Sequence, residues 1–265
     1  MQKYFLVISF VVLLSTGVAY ADNTIMITKS IAMDKVIFDG KWSFLTEWKK
    51  SSLDTLLYDD GTLIQLRTAH QDNFIYIFAD VVSQTEFDKH GDMAIACFDM
   101  HDSKPVIPNY DDYCFLVSLG NKTPVVLQGG SPLGFTGGFK KIDNPEGFIG
   151  AANISDENDR YSVIPHPSYE FRIPTDLVGR SDVYGFYLGI YDEHKNKIYS
   201  WPKEIILDSP LKIPSPSKWG DIISPDKSLP EFPFPILSLL SAIILAVYIT
   251  RKNNSLLIQS RRKNI

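Results

Sequence analysis

Short segments in which apolar and polar residues alternate fill the middle of the chain. In residues 168–174, Tyr169 and Phe171 point to one face while Glu170 points to the other, which is typical of a half-buried β-strand. Helical periodicity is scarce, and we expect only one or two helical turns, within residues 46–57. Further strands are predicted at residues 63–68, 74–82, 93–98, 113–119, 124–127, 184–191 and 197–201. The pattern predicts an all-β domain, an antiparallel β-sandwich of the jelly-roll or immunoglobulin type.

Apolar segments at both ends of the chain predict secretion and anchoring in a membrane. Residues 1–21 combine one lysine, an apolar run and a small-residue ending, as in a cleaved signal peptide. Residues 232–250 carry no charge over a length close to the roughly 20 residues that a membrane-spanning helix needs. A buried core helix is the alternative, although such a helix normally has a polar face. Five cationic residues and no acidic one follow in residues 251–265, which predicts a cytoplasmic tail.

The composition of the chain between these two segments distinguishes a folded domain from a linker. Residues 209–235 contain seven of the 16 prolines, so we expect a Pro-rich linker over residues 209–231 and one folded domain over residues 22–208. Residues 22–231 contain all 31 acidic residues and 20 Lys or Arg residues, a net charge of −11. Such a charge repels phosphate backbones, so we expect no nucleic-acid partner. The interpretation is a single-pass protein of the cell membrane whose domain is extracytoplasmic.

Signatures of catalysis are missing from the sequence. No G-x-S-x-G motif is present, and the five histidines never fall at H-x-x-x-H or H-x-H spacing. Two cysteines are too few for a four-thiolate zinc site. We therefore expect no enzyme activity.

Both cysteines lie between Gly91 and Gly120, in two predicted strands joined by a loop. Outside the cytoplasm, a chain with two cysteines most often pairs them, so we expect a disulfide between Cys97 and Cys114. The alternative is that both are small hydrophobic residues of their strands. Alternation does not decide between the two interpretations.

The loop between the cysteines is rich in aspartate. Carboxylates in a flexible stretch are hard oxygen ligands of the kind that calcium prefers, and a solvated turn explains them as well. The candidate calcium ligands are Asp99, Asp102, Asp111 and Asp112.

Aromatic residues near the end of the domain suggest a sugar-binding surface. Tyr187 and Tyr191 share a strand face with Gly185 and Gly189, which would leave open space beside Tyr187. The alternative is that the glycines let a backbone or a core ring pack closely. The candidate carbohydrate-binding residues are Trp201, Tyr199, Tyr187, Tyr191 and Trp42, whereas Trp48 is expected in the core.

The order of several short motifs resembles one known family. The motifs are FDGKW (38–42), EW (47–48), NFIYIFAD (73–80), DMAIACFD (92–99), DDY (111–113), YEFRIP (169–174) and the closing Trp201. Together they resemble the family 9 carbohydrate-binding-module-like (DOMON-like) domain. The resemblance implies a calcium-containing β-sandwich that binds sugars through an aromatic clamp, with Trp201 at a clamp position, and that is often appended to secreted enzymes. The cysteine pair is not part of the family pattern.

These observations favour a non-catalytic domain that binds a polysaccharide or glycan on the outer face of the cell membrane. Two alternatives stay open. One is a haem-binding redox module of the related cytochrome and dehydrogenase-subunit sandwiches, with Met93, Met100 and His101 as conceivable axial ligands. The other is an envelope structural protein without a ligand.

Overall fold

Two β-sheets packed face to face form the domain. The computed structural model describes residues 23–131, 137–207, 209, 212–224 and 243. Its strands are β1 (Thr24–Met26), β2 (Thr28–Lys29), β3 (Asp54–Leu57), β4 (Leu63–Gln71), β5 (Phe74–Asp80), β6 (Met93–Asp99), β7 (Asp112–Ser118), β8 (Asn121–Gln128), β9 (Lys140–Ile142), β10 (Ile149–Ile154), β11 (Pro167–Pro174), β12 (Val183–Asp192), β13 (Lys197–Trp201) and β14 (Gly220–Ile223). One short helix, α1 (Thr175–Val178), follows β11, and 3-10 turns span Met33–Lys35 and Pro216–Lys218.

The strand order separates an eight-stranded sheet from a six-stranded one. The first sheet runs β1-β14-β12-β6-β7-β8-β9 with β13 beside β12, and the second runs β10-β11-β5-β4-β2 with β3 beside β4. The prediction of an all-β, two-sheet fold is confirmed, but the sheets are mixed rather than purely antiparallel. β1 pairs with β14 and β2 with β4 in parallel, because the N-terminal segment joins each sheet as an added neighbour and not through a hairpin.

A continuous apolar core lies between the sheets. Tyr169, Phe171 and Ile173 of β11 enter it, as their alternation predicts, and Phe98 and Phe186 meet them from the opposite sheet. All of the strands predicted from alternation are present within a few residues. Alternation of apolar and polar residues identifies these strands because one face of each strand is buried against the other sheet.

The outer face of the six-stranded sheet is covered rather than solvated. Residues 31–52, here called the N-terminal cover, place Trp42 and Trp48 on Tyr76 and Phe78 of β5. The predicted helical turns at residues 46–57 are only partly present: residues 45–50 form turns, and β3 follows. Ser52 explains the difference, because its backbone N–H bonds the Thr68 carbonyl and draws the chain toward β4.

A second cover lies on the outer face of the eight-stranded sheet. Residues 203–207 and 212–219, here called the C-terminal cover, bury Ile205, Ile213 and Trp219 against Tyr187 and the two cysteines. This corrects the predicted boundaries, since residues 212–224 of the expected linker belong to the domain and include β14. Prolines are compatible with this role because a covering segment needs few backbone ladder bonds.

The predicted terminal segments lie largely outside the described residues. This applies to the signal peptide at residues 1–21, to the predicted membrane span at residues 232–250 apart from residue 243, and to the tail at residues 251–265. Within the described part of the chain, no helix has both the length and the apolar character needed to cross a membrane.

Candidate functional site

A cleft of about 390 Å³ opens on the outer face of the eight-stranded sheet, beside the hairpin of β12 and β13. Tyr191 pairs with Ile198 across this hairpin, so both side chains lie on the same face and contribute to the cleft. The C-terminal cover forms one wall. The lining residues are Tyr58, Asp59, Tyr191, Asn196, Lys197, Ile198, Ser200, Lys203, Ile205, Ile206, Leu207 and Ser209.

Two tyrosines give the cleft its aromatic surface. Tyr191 is partly exposed, and its hydroxyl donates to Asn196 Oδ1 at 3.0 Å, which orients the amide at the cleft margin. Tyr58 is more deeply set, and its hydroxyl donates to the Ser200 carbonyl at 2.8 Å. The Lys203 ammonium lies 5.6 Å from the Tyr58 ring centre and donates to the Leu57 carbonyl. The rings and the polar groups around them are therefore held in fixed positions.

One of the charged side chains that line the cleft, Lys197, forms an ion pair with a neighbouring carboxylate. Lys197 donates to Asp60 at 2.8 Å, and Asp60 also accepts from the Tyr199 hydroxyl at 2.8 Å. Burial alone would raise the pKa of Asp60, but the hydrogen bonds from Lys197, Thr62 and Tyr199 outweigh it and hold the pKa well below its usual range. Burial raises the pKa of Tyr58, so its hydroxyl stays neutral. The cleft thus combines aromatic, amide and hydroxyl groups with an ion pair that is already neutralised.

Of the five residues predicted to bind sugar, Tyr191 is the one that lines this cleft. Tyr187 is 1% exposed, stacks beneath Trp219 with ring centres 6.5 Å apart, and lies 3.3 Å from Ser200 through its hydroxyl. The predicted space beside it is filled, because a Cβ on Gly189 would meet the Tyr187 hydroxyl oxygen at 2.4 Å. The glycine admits a neighbouring ring, which was the alternative interpretation.

The other three predicted rings are structural in this fold. Trp201 is 5% exposed in the core between the sheets, 5.6 Å from the Phe186 ring centre, and Tyr199 is buried beside Tyr58. Trp42 is fully buried in the N-terminal cover, and its Nε1 donates to the Phe44 carbonyl. Each ring finds apolar neighbours across a sheet or under a cover. None of the three presents a face to solvent.

Cys97 and Cys114 form a disulfide, with Cα atoms 4.0 Å apart on opposed positions of β6 and β7. Both residues point to the outer face, beneath the C-terminal cover.

The four predicted calcium ligands are not gathered around one point. Asp99 accepts from the backbone of His101 and Lys104, and Asp111 pairs with His101 at 2.8 Å. Asp102 and Asp221 share the Lys104 ammonium, so this cluster already holds a cation of its own. Asp112 accepts from the backbone N–H of Asn109, and burial raises its pKa to about 7. Binding of calcium stays a prediction.

The conceivable haem ligands are also separated. Met93 begins β6 and His101 follows its end, about 20 Å away along the strand. Met100 lies against Gly179, and His101 is engaged with Asp111. This arrangement does not place Met93 and His101 on one iron atom.

Several lining residues had no sequence signal. Tyr58 and Asp59 precede the turn at Gly61, and Lys203 follows β13, so the sequence separates residues that the fold joins.

Four chains among the solved structures match this chain, and two of them are family 9 carbohydrate-binding modules. No family profile and no curated protein matches the chain. A family 9 carbohydrate-binding module from Caldicellulosiruptor kristjanssonii, solved in complex with cellotriose, is 13% identical with a TM-score of 0.48 and covers 76% of this chain and 93% of its own. The same module in complex with glucose is 13% identical with a TM-score of 0.49 and covers 76% and 95%. At this identity the comparison concerns strand arrangement and does not extend to the residues of the cleft.

Proposed function

We propose that the domain binds a neutral polysaccharide in the cleft beside β12 and β13 and performs no catalysis. The observation that carries the proposal is the partly exposed Tyr191 ring, fixed by Asn196 in a cleft of about 390 Å³. An aromatic ring packs against the apolar face of a pyranose, and neighbouring amides and hydroxyls bond the sugar hydroxyls. Asn196 and Lys203 are placed for that second role.

The charges favour a neutral ligand. The cleft residue Lys197 is neutralised by Asp60, the Lys203 ammonium donates to the Leu57 carbonyl, and residues 22–231 carry a net charge of −11. Long-range repulsion therefore opposes an anionic polymer. An uncharged glycan avoids that repulsion.

Affinity electrophoresis of the full chain in detergent, through gels containing neutral or acidic polysaccharides, tests this function. We expect retardation by at least one neutral polysaccharide, and loss of about tenfold or more in affinity in Tyr191→Ala. Tyr110→Ala is the matched control, because Tyr110 is 77% exposed and does not line the cleft. Equal affinities for the wild type and Tyr191→Ala, or no retardation in any gel, would overturn the proposal.

We also propose that the domain is displayed outside the cytoplasmic membrane. The cysteine pair supports this location, since disulfides persist in oxidising compartments. The sequence adds the leader-like residues 1–21 and the basic residues that follow residue 250. Protease added to intact cells should remove the domain, and its protection until the cells are lysed would exclude this topology.

A further inference from the structure

A buried polar cluster lies on the opposite sheet from the cleft, at the end of β5. Its members are Asp80, the last residue of β5, His166, which directly precedes β11, and Asp159 in the loop between β10 and β11. Their three side chains are fully buried. In the described part of the chain, this is the one set of three potential metal ligands whose donor atoms lie within 4.8 Å of one another.

The loop that carries Asp159 is closed at its base. The Ser155 N–H donates to the His166 carbonyl at 2.8 Å, and the His166 N–H donates to Ser155 Oγ at 3.0 Å. β10 and β11 are paired immediately beyond, with Ile154 opposite Pro167. The base of the loop that carries Asp159 is therefore anchored to β11, the strand that pairs with β5.

The imidazole of His166 is oriented with one nitrogen toward the carboxylates. Nδ1 lies 2.7 Å from the Ile164 carbonyl oxygen and 2.9 Å from Ser155 Oγ, and a proton on Nδ1 satisfies the carbonyl oxygen, which can only accept. Nε2 faces Asp80 Oδ1 at 2.7 Å and Asp159 Oδ1 at 3.9 Å. A backbone carbonyl that bonds Nδ1–H and directs Nε2 toward the ligand position is the usual support of a metal-binding histidine, and here Nε2 is directed toward the two carboxylates.

Several donor atoms of the cluster have no aligned hydrogen bond. They are both carboxylate oxygens of Asp80, Asp159 Oδ2 and His166 Nε2. The close approach of Nε2 to Asp80 is thus a contact of charges without hydrogen-bond geometry. Buried polar atoms left in this state are costly, and a bound ion would satisfy all of them at once.

The charge balance also calls for a cation. With both carboxylates ionised, even a protonated imidazole leaves excess negative charge in a fully buried place. The nearby guanidinium of Arg67 is directed to the Tyr161 hydroxyl and the Trp48 carbonyl. A divalent ion with a neutral imidazole and two carboxylates gives a neutral centre.

We propose that Asp80, Asp159 and His166 bind one first-row divalent cation, for which Zn²⁺ is the best match. Nitrogen and carboxylate ligands suit zinc, whereas calcium takes six to eight oxygen ligands. The site is structural, because it joins the loop between β10 and β11 to the end of β5. It is independent of the carbohydrate proposal, since none of its residues lines the cleft.

Metal titration of the full chain in detergent, after stripping with a strong chelator, tests the site. Competition with a chromophoric chelator should give one Zn²⁺ per chain, and Co²⁺ should give visible absorption bands of a nitrogen- and oxygen-bound ion. His166→Gln and Asp159→Asn should each weaken Zn²⁺ binding by about 100-fold or more, which exceeds the usual effect of indirect ligand supports. His194→Gln is the control, because it removes an exposed histidine paired with Glu86.

Thermal unfolding provides a second test, which applies even if His166→Gln does not fold. Zn²⁺ should raise the Tm of the wild type and of His194→Gln, but not that of Asp159→Asn. The Asn variant keeps an oxygen that can accept from the Tyr161 and Ser162 N–H groups, so the loop hydrogen bonds survive. A wild type that binds no Zn²⁺, or Zn²⁺ binding and stabilisation that persist in Asp159→Asn, would overturn the proposal.

Discussion

Cys97 and Cys114 face each other directly across β6 and β7, and their disulfide lies on the outer face of the eight-stranded sheet, beneath Trp219 and beside Tyr187 of β12. The bond therefore joins two neighbouring strands of one sheet and does not link the two sheets. It closes a loop that contains the aspartate-rich segment between β6 and β7. We expect the disulfide to stabilise the fold by lowering the conformational entropy of the unfolded chain.

Removal of the disulfide should lower stability without changing the fold. For Cys97→Ala/Cys114→Ala, with a sequence separation of 17 residues, we expect a loss of about 3 kcal/mol in the free energy of unfolding. Urea denaturation of the variant and of the oxidised wild type measures the difference. A thiol assay on the unfolded, unreduced wild type should detect no free thiol, and two free thiols would contradict the pairing.

Truncation of Trp219 should release the C-terminal cover. This ring is 3% exposed, packs between Phe139 and Tyr187, and donates through Nε1 to the Pro214 carbonyl. Trp219→Ala should cost about 3–5 kcal/mol and make the cover sensitive to limited proteolysis. The exposed neighbour Lys218 provides the control, and a cleavage pattern for Trp219→Ala like that of Lys218→Ala would argue against this packing role.

Substitution of Trp201 should separate a core role from a binding role. A Cβ added to Gly220 would lie 2.5 Å from the Trp201 ring, which shows how closely β14 packs on it. Trp201→Ala should lose about 3–5 kcal/mol of stability while the folded fraction keeps its affinity for polysaccharide. Denaturation and affinity electrophoresis together distinguish the two roles. Unchanged stability with lost polysaccharide binding would show that Trp201 contacts the ligand.

Glu170 should make stability depend on pH. Burial raises the pKa of its carboxyl well above the usual range, despite hydrogen bonds from the Gly40 N–H and Trp48 Nε1. A raised pKa means that the folded state holds a proton that the unfolded state releases above about pH 4.3, so stability falls as pH rises from there toward the folded pKa.

Glu170→Gln should remove this contribution. Relative to the wild type, the variant should be least stable near pH 4, where it lacks one acceptor, and should recover or surpass the wild type as pH rises. Urea denaturation across a pH series measures the difference between the two proteins. A difference that is the same at every pH would show that Glu170 does not titrate in this range.

The sequence predicts the strands well because their signal is local. Tyr169, Phe171 and Ile173 must alternate to reach the core, whatever lies on the other side of their strand. The environment of the opposite face is not predicted. The pattern places Glu170 in solvent, but the structure buries it under Trp48. A period-two pattern cannot reveal a cover that arrives from a distant segment.

The candidate sites show the same limit. The sequence indicates Tyr191 as a candidate because it lies on a recognisable strand, whereas Tyr58 and Lys203 come to the cleft from a turn and from the C-terminal cover. Trp219 sits among prolines that read as a spacer, although a buried tryptophan holds that segment to the domain. Asp80 ends β5 and His166 directly precedes β11, and only the register of β5 with β11 brings them together.

The parallel pairing of β1 with β14 bears on how the protein is made. Thr24 and Asp221 are partners although about 200 residues separate them in sequence, so the ribosome must finish nearly the whole domain before β1 acquires its neighbour. During that interval the unpaired edge is open to other chains, which favours protection by a chaperone. Shortened products that end before β14 would keep this exposed edge and should aggregate.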